Sequence, residues 1–341
     1  MLLRGSDQVA VLIDGKQSGM TGFGSQRGLG NIPAANIDRI EIINNPPAKY
    51  DASGMAGIIN IIFKKEKVTG FNGEIGMSLG LGELTTRKKN LPTSLGRYNL
   101  NPKYNPNVSL NYKTTKSNSY LQAEVLDQRK LPNNEFTSRS YNDETKTISA
   151  VPENRKQTHY IVKTRTEWTL NENNTLGISG IWDYESHVDT SRVPFIYLLT
   201  NQRNRYYHWN EVEVTGFVNV QADFEHQFAD LGHQLTLQTQ YSKGWEDESY
   251  FLNDSSAIRQ GTDATHLIAT EHTTTFNADY VKPLRSGRVE LGSQLRFRTI
   301  PVTYDIIPGE QSIIYEGIGD FSDWGENLYS FYSNYLLEKE V

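Results

Sequence analysis

The chain of 341 residues contains no cysteine. That excludes a disulfide framework and every metal centre built on thiolates, although it does not identify a compartment. Long apolar runs are missing too. The longest, "AGIINIIF" and "VPFIYLL", reach less than half of the roughly 18–20 residues that a membrane helix needs. With a mean hydropathy of -0.57, a bundle of membrane helices is excluded. There is no sustained basic block, and the formal net charge is -6, which argues against a nucleic-acid partner. The opening "MLLRGSDQVAVLIDG" lacks the apolar core and small-residue cleavage site of a signal peptide. The expectation is either a cytoplasmic protein or a chain whose true start lies further upstream. Polarity does not exclude a transmembrane β-barrel, whose strands need only alternate apolar and polar residues. Composition leaves that and a soluble all-β protein open.

What is present falls into two regions, 1–66 and 67–341. In the first, "QVAVLIDGK" reads as a buried strand that turns at Asp14-Gly15. "MTGFGSQRGLGN" is a glycine-rich loop. "IPAANIDRIEII" gives a short helical turn opened by Pro33 and then a strand over 39–43. Pro46-Pro47 ends that strand, because proline has no N–H to give a ladder. "ASGMAG" is a small-residue turn and "GIINIIF" a third buried strand, with Ile58, Ile59, Ile61 and Ile62 as its core residues. The reading is a small mixed α/β unit.

From "VTGFNGEIGMSLGLG" onward the pattern is of long two-faced strands. In 288–298, Val289, Leu291, Leu295 and Phe297, with Ser293 as the exception, oppose Arg288, Glu290, Gln294, Arg296 and Arg298. In 211–225, Val212, Val214, Val218, Val220, Ala222 and Phe224 oppose Glu211, Glu213, Asn219, Gln221, Asp223 and Glu225. Period two over such lengths predicts strands, about ten of them. Tight turns at 115–117, 171–174, around 230 and at 283–287 alternate with long polar excursions at 83–103, 129–158, 188–209, 247–270 and 300–326. That alternation suits a membrane-spanning antiparallel barrel, with short turns on one side of the bilayer and long loops on the other. Nothing in the physics of a soluble sandwich makes every second connection long. Trp168, Trp182, Tyr184, Tyr241, Trp245, Tyr329 and Tyr332 are candidates for interfacial girdles, and also for ordinary cross-strand packing.

The motif Asp14, Gly15, then Ile37, Ile40, Glu41 and Ile42, then Pro46, Ala48 and Tyr50, then Gly54, Gly57, Ile58, Ile59, Asn60 and Ile61 with Lys64 and Lys65 resembles the end of a TonB-dependent receptor plug. "FNADYVKPLRSGRVELGSQLRFR" and "ENLYSFYSNYLLEKE" resemble mid-barrel strands of the same family, in the subfamily whose plug ends in Asn-Pro. Asn45 and Asp51 stand where many such receptors have glycine. The resemblance implies the C-terminal part of a plug (1–66) followed by the N-terminal part of an incomplete all-β transmembrane antiparallel barrel (67–341). Family members close with about 22 strands, so an internal piece of a receptor, or a truncated product, is expected. It is not expected to fold alone, since open strand edges are not tolerated in hydrocarbon.

For function, the resemblance implies energised uptake of a bulky nutrient, such as an iron chelate or glycan, across the outer membrane of a Gram-negative cell. The TonB system would act through a segment upstream of this chain. Outer-membrane lipid is a partner and a surface lipoprotein is a further candidate. A non-transporting adhesin or scaffold barrel is the alternative. The plug residues with a structural or gating role would be Asp14, Gly15, Arg39, Glu41, Pro46, Tyr50, Gly54, Gly57 and Asn60. Arg39 and Glu41 would face wall charges such as Arg296, Arg298 or Glu213. Ligand contacts are expected from Phe23 and Arg27 in the apical loop, from Arg205, Tyr206, Tyr207 and Trp209 in "RYYHW", and from "RVPFIYLL" (192–199), whose exposed aromatics otherwise pack against neighbouring loops. The glycine loop fails as a nucleotide site, because Arg27 stands where a third glycine is needed. His226 and His233 flank a tight turn, and no histidine pair has ligand spacing along the chain, so no metal is expected. No cofactor and no catalytic constellation is expected, and the chain is not read as an enzyme.

Overall fold

The computed structural model describes residues 9–13, 16–17, 37–44, 57–63, 69–82, 101–256, 260–312, 314 and 316–337. They form two sheets. The smaller contains β1 (Val9–Ile13), β2 (Lys16–Gln17), β3 (Ile37–Ile43) and β4 (Gly57–Phe63) in the order β2-β1-β4-β3. β4 runs parallel to β1 and antiparallel to β3. A central strand with both faces covered needs a continuous apolar run rather than alternation, and "GIINIIF" supplies it. Leu12 and Ile58 pack with Ile43 on one face, and Val11 and Ile61 pack with Ile37 and Ile59 on the other. Ile58 is 0% exposed, and each such side chain contributes about 1.5–3 kcal/mol. Of the four isoleucines expected in this core, Ile58 and Ile61 are buried, while Ile59 and Ile62 are half-buried. The helical turn expected at Pro33 lies outside the described residues.

The larger sheet is an antiparallel meander of ten strands. They are β5 (Gly70–Gly82), β6 (Asn101–Lys113), β7 (Ser117–Ser140), β8 (Lys146–Asn171), β9 (Asn174–Tyr197), β10 (Arg203–Gln227), β11 (Gln234–Ser256), β12 (Gln260–Leu284), β13 (Gly287–Pro308) and β14 (Asp320–Leu337). Each pairs with its neighbours in sequence, and β5 and β14 stand at the two ends of the order. The tight turns fall where the sequence predicts them. At one, Thr114 N donates to Ser117 O at 2.7 Å. At another, Gly232 takes a φ of 80°, a backbone conformation in which its lack of a Cβ avoids strain.

The two faces of this sheet are inverted relative to a water-soluble protein. Ile75 is 86% and Phe331 76% exposed, and Ile178, Val212, Leu237, Phe251, Phe276 and Leu291 are exposed on the same face. The opposite face carries buried Lys163, Asp183, Asp189, Asn219, Asp223, Gln240, Asp263 and Glu271. Polar groups are enclosed and apolar groups are outside, as in a barrel wall whose outer band meets lipid.

The excursions need correction. β7 and β8 continue to within five residues of each other, joined by residues 141–145, and β9 and β10 are joined by residues 198–202. Most of 129–158, 188–209 and 247–270 is therefore hairpin arm rather than loop. A tilted strand needs about 9–11 residues to cross the bilayer, whereas β8 has 26. Beyond the lipid no rule sets one face apolar, so the period-two signal fades while the backbone pairing continues.

Aromatic rings mark where that change occurs. Tyr160, Trp182 and Tyr184 cluster on the outer face with centroids 6.1–6.4 Å apart. Trp245 lies beside them across Gly216, where a Cβ would stand 2.6 Å from the indole and 2.4 Å from the Asp183 carbonyl oxygen. Tyr332 is not part of a girdle. It turns inward over Gly292 and its hydroxyl bonds Asp279.

Candidate functional site

The inner face of β8–β11 is layered from the tight-turn end to the far end. Nearest the turns is a charged rung. Arg165 on β8 reaches across β9 to Asp223 on β10, with Nη1 donating to Oδ1 at 2.8 Å and Nη2 to Oδ2 at 3.0 Å. The residue between them is Gly177, in register with Asp223. Next come two apolar side chains that break the polar parity, Ile181 and Phe217. Both pack on the Val11–Ile61 cluster of the small sheet. The small sheet therefore lies against the inner face of the large one.

Beside this pad His159 bonds Asp183 at 2.9 Å. Above it lies a denser group. Glu213 pairs in register with His187 on one side and Glu248 on the other, and Glu211 with Asp189 and Tyr250. His187 Nε2 stands 2.8 Å from Glu213 Oε2 and 3.2 Å from Glu211 Oε1. Asp189 is held by Arg155 at 2.9 Å.

The uppermost layer contains the residues expected to contact ligand. Arg205, Tyr207 and Trp209 alternate along β10 on the inner face. Arg205 is clamped by Asp254 through Nε and Nη2, and its guanidinium lies 4.5 Å from the Tyr207 ring centroid. Tyr207 meets Phe195 edge to face at 4.8 Å. Trp209 is 8% exposed and stacks on Tyr250, so it serves as a floor rather than an open contact. Tyr206 has the opposite parity and stands 5.5 Å from the Arg203 guanidinium. The structure therefore brings Arg205, Tyr207 and Trp209 together and leaves Tyr206 on the other face. Phe195, from the segment 192–199, joins the cluster, and so do Tyr250 and Asp254, whose places are set by cross-strand register and not by spacing along the chain.

On the small sheet, the expected answer from wall charges is not what is observed. Arg39 Nε donates to Glu41 Oε1 at 2.8 Å, and Asn60 Nδ2 donates to Glu41 Oε2 at 2.9 Å. Arg296 and Arg298 pair instead with Glu326 and Glu271, and Glu213 with His187. The reason is local: Arg39 and Glu41 are two residues apart on edge strand β3, within reach of each other. The Arg39 guanidinium, then the Asn60 amide, hold the Glu41 carboxyl below its ordinary range. Gly57, with a φ of 132°, opens β4. Asp14, Gly15, Phe23, Arg27, Pro46, Tyr50 and Gly54 lie outside the described residues.

Two family models match the chain: the TonB-dependent receptor plug domain over residues 1–58 and the outer membrane protein beta-barrel family over residues 226–339. Among solved structures, the ferric yersiniabactin uptake receptor FyuA from Yersinia pestis matches at 10% identity. The match covers 96% of this chain and 52% of that one, with a TM-score of 0.54. The RagAB peptide importer in its closed-closed state matches at 11% identity over 97% and 47%, with a TM-score of 0.52. The unliganded ferric citrate transporter FecA gives 12% identity over 98% and 52%, with a TM-score of 0.48. The chain spans about half the length of these structures, and FyuA and RagAB share its fold.

Proposed function

We propose, from the premise that this chain belongs to the TonB-dependent receptors of the Gram-negative outer membrane, that it forms the plug-bearing part of a transporter for a bulky nutrient. Residues 1–66 are the plug portion and 67–341 the barrel portion. The observation that carries the reading is the seating of the Val11–Ile61 cluster on Ile181 and Phe217, inside a sheet whose outer face is apolar. A small folded unit that, among the described residues, meets the inner wall through two apolar side chains can be displaced without unzipping the wall. That is what a gate requires. Ligand would meet Arg205 and Tyr207 above Trp209, together with Phe23 and Arg27 of the apical loop. Arg39, Glu41 and Asn60 would keep β3 and β4 together while the TonB system pulls from the periplasm. FyuA is a ferric chelate receptor and RagAB a peptide importer. An iron chelate, a peptide or a glycan each fits a mouth built of one clamped cation and several rings.

The absence of cysteine from this chain suits a cross-linking test. Cysteines at Val11 and Phe217, joined by a short thiol cross-linker, tie the plug to the wall. Uptake should stop in the tied protein and return in the same variant left unlinked, while surface binding of ligand is unchanged. Uptake at the unlinked rate in the tied protein would refute a gating plug.

A further inference from the structure

We propose that His187, Glu211 and Glu213 form a binding site for a divalent transition-metal ion, set in the inner wall between the plug's apolar pad and the aromatic mouth. The three residues come from β9 and β10, and one ligand atom from each lies within 4.8 Å of the others. Glu211 and Glu213 alternate on one strand, so both point inward, and register puts His187 directly opposite Glu213.

The separations suit a small cation. Ligand bonds of about 2.0–2.2 Å in tetrahedral geometry put ligand atoms about 3.3 Å apart. His187 Nε2 stands 2.8 Å and 3.2 Å from the two carboxylate oxygens, and all three ligand atoms lie within 4.8 Å of one another, so an ion enters after the two carboxylates close toward each other by at most about 1.5 Å. One imidazole and two carboxylates fit zinc or a similar borderline ion and leave a position for water.

A second observation concerns the other ring nitrogen. His187 is 1% exposed and its Nδ1 is buried without a hydrogen bond. It points at Glu185 Oε1, 3.5 Å away. Glu185 is itself fixed by Gln157, whose Nε2 donates at 2.7 Å. Metal-bound histidines usually give their second N–H to a carboxylate, which fixes the tautomer and aims the lone pair at the ion. Glu185 stands in that place. Drawing Nε2 toward an ion between Glu211 and Glu213 requires only a small tilt of the ring, and that tilt can bring Nδ1 into hydrogen-bond range.

Charge favours the same occupant. Glu248 sits opposite Glu213 in register, and like charges directly opposite on neighbouring strands are unfavourable. A divalent ion offsets them. It also clips β9 to β10 at the height where the wall leaves the lipid.

The test is metal binding to the detergent-solubilised protein, stripped with chelator and dialysed against Zn2+ alone at micromolar concentration. One equivalent per chain is expected, displaced by Co2+ with the visible absorption of a low-coordinate N/O site. Glu211→Gln and Glu213→Gln should each abolish that equivalent. Glu185→Gln should retain it with affinity lowered about 10–100-fold, a graded effect that loss of structure would not give. If a variant fails to fold, Co2+ absorption of the unaltered protein, with and without the chelator, still decides the matter. No binding by the unaltered protein overturns the proposal, and so does an equivalent that survives Glu213→Gln in folded protein. Because no step measures uptake, the outcome is independent of whether the plug gates transport.

Discussion

Gly177→Ala is the sharpest probe of how the wall is held together. A Cβ at this position would lie 2.4 Å from Arg165 Nη2 and 2.6 Å from Asp223 Oδ2, at the centre of their two-point contact. Relief to an ordinary contact requires each to retreat by about 1 Å, and bonds of 2.8 Å and 3.0 Å then pass beyond hydrogen-bonding range. The two side chains are 16% and 10% exposed, so solvent can replace only part of what is lost. A hydrogen bond to a charged group contributes about 1.5–3 kcal/mol, and leaving a buried charge unpaired costs up to about 3–5 kcal/mol. Arg165 keeps Glu167 at 3.2 Å as a fallback, which favours the lower figure. Alanine in a strand recovers about 0.5–1 kcal/mol over glycine. The expected net loss is about 1–2 kcal/mol.

The assay is denaturant unfolding in detergent of wild type, Gly177→Ala, the double variant Arg165→Met with Asp223→Leu, and the triple variant. In the double background the alanine meets no ion pair, so it should be neutral or slightly stabilising, giving a coupling of about 1.5–3 kcal/mol. Equal destabilisation in both backgrounds would refute the reasoning and point to backbone conformation instead.

Two further outcomes follow from the plug. Replacing Phe217 and Ile181 by alanine removes the pad, and the plug's hold on the wall should weaken by about 2–4 kcal/mol. Amide exchange in β1 and β4 should then rise while β9 and β10 exchange as before; equal acceleration in all four strands would contradict a local pad. Glu41, whose folded pKa is depressed, contributes stability above its unfolded value of 4.5 and loses it as pH falls through the lower folded value. The gap in thermal midpoint between wild type and Glu41→Gln should therefore be widest at neutral pH and close below that window. A gap independent of pH would mean that the Arg39–Glu41–Asn60 chain acts through packing alone.

Much of this fold can be read along the chain because lipid imposes a rule on every residue of a spanning strand. Val212 to Phe224 alternate because one side faces hydrocarbon and the other water, and a turn as short as 172–173 leaves no doubt about which strands pair. Two kinds of feature escape such reading. Where β7 and β8 rise past the lipid, as at 137–158, alternation fails: 137–144 are exposed in succession and Thr147, Ile148 and Ser149 are buried in succession, so parity no longer marks the strand. Features made by register escape as well. His187 and Glu213 are 26 positions apart, and only the turn at 198–202 and the bulge between Arg203 and Arg205 bring them opposite. Spacing along the chain carries no trace of that, although parity alone puts Glu211 and Glu213 on the inner face. Arg39 and Glu41 show the converse: adjacent same-strand partners outcompete the more distant wall charges.

The exceptions to parity carry the most functional meaning. An inner wall made wholly of charged rungs would repel an apolar plug surface, because each buried carboxylate would have to shed water without a partner. A wall made wholly of apolar residues would bind the plug too firmly to release it. Ile181 and Phe217 sit between these limits. Among the described residues, two half-buried wall side chains pack on the Val11–Ile61 cluster, and they contribute about 3–6 kcal/mol. The ladders on either side of β10, by contrast, are stitched by backbone bonds along about twenty residues of strand. Under the proposed gating, a directed pull on the small sheet is expected to break this described contact before any ladder of the wall.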